Sequence, residues 1–205
     1  MNITFSKTPV SKQIFIGIIF GVVNYFFYLF CYQVLHIPLF MDNVFIFGAA
    51  FFGFPSGMIS AFVFHFVDFL VKMAGGTQTA LQFFYSICSF TAVFLTWALV
   101  TRHRDFSWIL MALLVFVVTI VVSIEGAAIY SFIISQNSFS NENEAVYSLY
   151  YILTFQNFGV FWSATLARIP INLCDKAIAV FGGFGVWLLT NPLTNAFVHF
   201  VPKRQ

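Results

Sequence analysis

Charge is what this chain has least of: only 8% of its 205 residues are Asp, Glu, Lys or Arg, and the formal net charge is +2. Soluble domains carry about 25% charged residues, so with a mean hydropathy of +0.92 an ordinary water-soluble fold is excluded. Cysteine is also sparse. Cys31, Cys88 and Cys174 lie far apart in apolar segments, without the close pairing of zinc ribbons or redox dithiols. Buried thiols are expected, with no metal site and no disulfide framework.

Catalytic signatures are missing too. The sequence has no Gly-x-x-x-x-Gly-Lys-Ser/Thr loop, no His-Glu-x-x-His pair and no Gly-x-Ser-x-Gly elbow, and its four histidines, at 36, 65, 103 and 199, are scattered. No enzyme activity and no cofactor are expected. His65 lies three residues from Asp68, the spacing of a base and acid pair on one helical face; a histidine held by a hydrogen bond inside a helix bundle satisfies the same spacing.

What is present is apolar and aromatic: 60% hydrophobic residues, 21% aromatic residues and 31 phenylalanines. This is the composition of an integral membrane protein, in which phenylalanine fills core and lipid-facing surface without needing a ligand. Lys7 and Lys12 precede a long apolar run, which exceeds the length of a signal-peptide hydrophobic region and is followed by no small-residue cleavage site. It is expected to remain as the first membrane helix.

A hydrocarbon core about 30 Å thick takes about 20 helical residues to cross. Six segments satisfy or approach this, at 14–35, 41–54, 57–73, 80–101, 106–135 and 158–190, so the expected fold is an all-α bundle of six transmembrane helices in one domain. Breaks fall at His36-Ile-Pro38, Phe54-Pro-Ser-Gly57, Gly75-Gly76-Thr77, Arg102-His-Arg104 and the polar stretch from Gln136 to Glu144. The second segment is short and must tilt little or stop inside the bilayer. The sixth is too long, and Pro170 is expected to break or start a helix within it.

Basic residues set the expected orientation. Lys7, Lys12, Arg102, Arg104, Lys203 and Arg204 fall on one side of a six-helix arrangement, against Lys72 on the other, which puts both termini in the cytoplasm. The loop with Glu142 and Glu144 is then outside, and residues 145–156, with Tyr147, Tyr150 and Tyr151, read as a short interfacial helix.

Against this apolar background the stretch Arg168-Ile-Pro-Ile-Asn172-Leu-Cys-Asp175-Lys176 stands out. An ionisable side chain in a membrane helix costs about 3 kcal/mol on insertion scales and therefore faces a bundle interior or a polar cavity. On one continuous helix Arg168, Asn172, Asp175 and Lys176 fall within an arc of roughly 100°. If the helix starts at Pro170, only the last three share that face. Glu125, Asp68 (with His65 and Lys72 on its face), Asp42 and Asn43 are expected at a similar depth in the outer half. Polar groups from several helices at one depth suit a pocket open to the outside, its outer wall formed by Trp162, Gln156 and Asn157. The mixed signs favour a zwitterion or a polar heteroaromatic ligand. The alternative is internal pairing, Glu125 with Arg168, Asp68 with Lys72, and Asp175 and Lys176 with neighbouring helices. Gly17 and Gly21, and Ala49 and Gly53, form small-xxx-small pairs that serve either internal packing or the docking of another membrane subunit.

The layout resembles the substrate-binding S components of energy-coupling factor transporters. The resemblance covers most of the chain and rests on Pro38-Leu-Phe-Met-Asp42, a short second helix, Gly53-Phe-Pro-Ser-Gly57 leading to His65-Phe-Val-Asp68-Phe-Leu70, and Arg168-Ile-Pro170-Ile-Asn172-Leu-Cys-Asp175-Lys176. It departs in having glycines at 17 and 21 where the family often has alanines. It implies capture of a vitamin-like small molecule from outside the cell membrane, docking through the first helix onto a membrane coupling subunit, and energy from two ATPase subunits, with no nucleic-acid partner. Two other classes fit the composition: a membrane sensor with a separate cytoplasmic output partner, and a scaffold of cell-envelope assembly that binds no small molecule.

Overall fold

In a computed structural model, which describes residues 8–75, 80–103, 107–134 and 144–197, every regular element is helical. Lys7, Arg104, Lys203 and Arg204, the break at Gly76-Thr77 and most of the polar stretch with Glu142 lie outside the described residues. The first helix, α1 (Val10–Leu29), continues as a π-turn (Phe30–Val34) and is followed by α2 (Val44–Phe52) and α3 (Phe54–Ala74). A 3-10 turn (Ala80–Tyr85) leads into α4 (Ser86–Leu99), after which come α5 (Trp108–Ile129) with its own π-turn (Tyr130–Ile134), α6 (Glu144–Phe155) and α7 (Val160–Phe197).

Four stretches are long and apolar enough to cross a membrane: Val10–Val34, Phe54–Ala74, Trp108–Phe132 and Val160–Pro192. These make the chain a multi-pass membrane protein by length and composition. The fourth expected segment contains a shorter apolar helix, Phe83–Leu99. The second expected segment differs more. α2 has nine residues, about 13 Å of helix, and eight of them, Val44 and Ile46 through Phe52, are buried. A helix that is apolar on all sides belongs in a core, and α2 is enclosed by α1, α3, α4 and α7. It stops inside the protein.

Glycines set how closely α2 and α1 are held. A Cβ on Gly183 of α7 would lie 2.7 Å from both Phe47 Cβ and Val44 O, so α7 and α2 touch backbone to backbone. Gly17 and Gly21 do the same for α1 and α3: a Cβ there would meet Ser56 O at 2.7 Å and Val63 Cβ at 2.7 Å, respectively. Both glycines are buried in this internal contact. Between α2 and α3 the turn is a single residue, Gly53, with φ +153°, a conformation open to glycine alone. Pro55 follows in the first turn of α3, where no amide donor is needed.

Pro170 neither starts nor breaks a helix, since α7 runs unbroken from Val160 through it and through Pro192. Within a bundle, neighbouring side chains and local adjustment compensate for the missing N–H. α6 forms where a short helix was expected, packing on α7, and the ring of Tyr150 has its centroid 5.5 Å from that of Tyr130 in the π-turn that follows α5.

Candidate functional site

Because α7 is continuous, Arg168, Asn172, Asp175 and Lys176 do share one face, and all are buried, at 3%, 2%, 0% and 2% exposure. Asp175 and Lys176 lie near the middle of the Val160–Pro192 span, where a buried charge is most costly. Their partners come from the linker between α1 and α2. That linker is non-helical over residues 36–43, with His36 and Met41 at positive φ, 49° and 51°. Irregular backbone at membrane depth must find its hydrogen bonds within the protein, and here it does. Met41 N–H donates to Asp175 Oδ1 at 2.7 Å. Asn24, the amide in the apolar run of α1, donates to the Asp42 carbonyl at 2.5 Å and accepts from Phe45 N–H at 2.9 Å.

The linker side chains extend this into one network. Lys176 Nζ donates to Asp175 Oδ2 at 2.7 Å and lies 3.5 Å from Asp42 Oδ1. Asn43 donates to Asp42 Oδ1 and accepts from Ser89 Oγ of α4 at 3.0 Å, and Ser89 in turn meets His65 Nε2 of α3 at 2.8 Å. Asn43 is the residue before α2 but makes no capping bond to it; its side chain joins α4 to the linker instead. The chain of contacts from His65 to Asp175 therefore ties α3, α4, the linker and α7 together, with one ammonium between two carboxylates.

A second tier lies toward the Val160 end of α7. Asn172 donates to Ser123 Oγ of α5 at 2.9 Å. Arg168 donates to the Ala164 carbonyl at 3.1 Å, and its guanidinium lies over the Tyr130 ring, 5.2 Å from the centroid. A Cβ on Gly126 would sit 3.3 Å from Arg168 Nε, so this glycine makes room for the arginine. Glu125, next along α5, accepts from Thr91 Oγ1 of α4 at 2.8 Å. No ion pair joins it to Arg168 among the described residues, and its buried Oε2 has no hydrogen-bond partner. The alternative of internal pairing between Glu125 and Arg168 is therefore not realised among the described residues. Cys88 on α4 and Cys31 are buried as expected, whereas Cys174, expected to be buried, is exposed.

Asp42, Asn43, Asp175 and Lys176 are thus brought together, with Arg168, Asn172 and Glu125 in the tier beside them. Asp68 is apart from the network. It pairs with Lys72 one turn along α3 at 2.8 Å, and Lys72 also lies 5.7 Å from the Tyr28 ring centroid. His65 turns away from this pair toward Ser89. Trp162 is 59% exposed and packs on Phe161, facing away from these groups. Asn24, Ser89, Thr91 and Ser123 were not anticipated. Among the described residues no group of three His, Cys, Asp or Glu side chains gathers in a metal-binding arrangement. Compared with protein-family models, curated proteins and solved structures, the chain matches none.

Proposed function

We propose that this chain is the solute-binding S component of an energy-coupling factor importer, a six-helix subunit of the cell membrane with both termini in the cytoplasm. In this reading it captures a vitamin-like molecule from outside and carries out no chemistry of its own. A membrane coupling subunit and two ATPases drive delivery. The observation that carries the reading is the second tier: α5 and α7 of an apolar bundle carry a carboxylate with one buried oxygen that has no hydrogen-bond partner, an arginine and an amide. Burial of uncompensated charge is expensive unless something else uses it.

The deeper network supports the same reading in another way. It fixes the linker and α2, so the binding tier rests on a rigid floor. Gly17 and Gly21 set the α1–α3 spacing and so act on docking indirectly, while the coupling subunit meets the lipid-facing side of α1, where Phe15, Ile19 and Val22 are exposed. The test is to purify the chain alone, identify any released small molecule by mass spectrometry, and probe its membranes in mild detergent for associated ATPase subunits. A bound solute together with ATPase association supports the proposal; neither would sink it. The closed hydrogen bonding of the deeper network also suits a scaffold, which predicts that same double negative.

A further inference from the structure

Asp175, Lys176 and Asp42 compensate one another and Asp68 is paired with Lys72, whereas among the described residues the half-buried Glu125 has no such cation. Glu125 has a single neutral donor, Thr91, on Oε1, while Oε2 is buried with no partner. Its neighbour Ile124 faces outward at 43% exposure, but Glu125, half-buried, turns toward α4, where its Oε1 accepts from Thr91. The free oxygen is itself buried, on the side of α5 that faces α4. A carboxylate there is an acceptor only, with capacity for further donors, and the strongest complement is a positively charged or N–H donor group, because charge-assisted hydrogen bonds are roughly twice as strong as neutral ones.

We propose that Glu125 is the recognition group of the solute site and takes the protonated or N–H-bearing end of the ligand on Oε2, with Thr91 holding the carboxylate in place through Oε1. This rests on the solute-binding reading above and narrows it to amines, amidines or N–H heteroaromatics. Simple carboxylates and phosphates are excluded as the group bound at Glu125, since like charge there has no compensation. Arg168, over the Tyr130 ring one helix away, flanks the same tier from α7.

The experiment follows thermal unfolding of the purified full chain with histamine, agmatine and 2-aminopyridine, against succinate and inorganic phosphate. The basic probes are expected to raise Tm in the wild type, and E125Q to weaken their binding roughly tenfold or more, with T91V showing a smaller loss. Without probe, E125Q should melt no lower than the wild type, because it removes an uncompensated charge. Stabilisation by the anions alone, or equal stabilisation of E125Q and wild type by the basic probes, overturns the role of Glu125 and leaves the solute-binding reading standing. If no probe changes Tm and no small molecule is released on denaturation, both fall.

Discussion

At the residue scale the informative pair is Asp175 and Lys176, whose replacement is expected to cost differently because their surroundings differ. Lys176 is the cation shared by Asp175 and Asp42, so replacing it leaves a fully buried carboxylate unpaired; removing one partner of such a pair costs about 3–5 kcal/mol. Asp175→Asn is milder, since asparagine still accepts from Met41 N–H and Lys176 retains Asp42. The expected order of Tm in detergent is wild type, then D175N, then K176M, with the double variant D175N/K176M above K176M alone. A double variant less stable than K176M would show that charge compensation does not govern this site. The charged members were legible in the sequence because a charge in an apolar run stands out. Asn24 and Ser89 were not, since a single amide or hydroxyl is tolerated in a membrane helix and only the fold reveals that Asn24 holds a backbone carbonyl from the linker.

At the scale of elements, apolar length located most of the helices, and it failed where length stopped being the controlling variable. α2 escapes the rule for spanning helices because protein surrounds it, and α7 escapes the helix-breaking rule at Pro170 because packing holds both sides of the proline. The small-residue pairs show a related limit: spacing announces a close approach and does not name the partner. For Gly17 and Gly21 the partner is α3, with backbone oxygens of Ser56 and Ser60 at the contact. Leucine at either position has no room unless α1 and α3 separate, so G17L and G21L should lower folded yield and Tm, with any solute binding and uptake declining together. A variant that folds and binds as the wild type yet fails to transport would instead place a partner subunit on this stripe.

For the whole molecule, the arrangement of crossings is open to direct measurement. In the proposed six-helix topology, Ser107 at the start of α5 and Asn157 after α6 lie on opposite sides of the membrane. Single cysteines placed there in a variant lacking the three native cysteines should react with an impermeant thiol reagent from opposite faces, Asn157→Cys from outside and Ser107→Cys from the cytoplasm. Labelling of both from the same face would reject the topology. The bond from Met41 N–H to Asp175 Oδ1 bridges 134 positions of sequence. During synthesis, therefore, the linker and α2 emerge long before the carboxylate that anchors them, and until α7 is inserted this part of the protein must wait with an unmet amide beside a helix too short to hold itself across lipid. Closure of the linker is thus gated by α7. A chain ended before Val160 should leave the linker open to proteases that spare it when α7 is present, because the carboxylate that accepts from Met41 N–H arrives only with that helix.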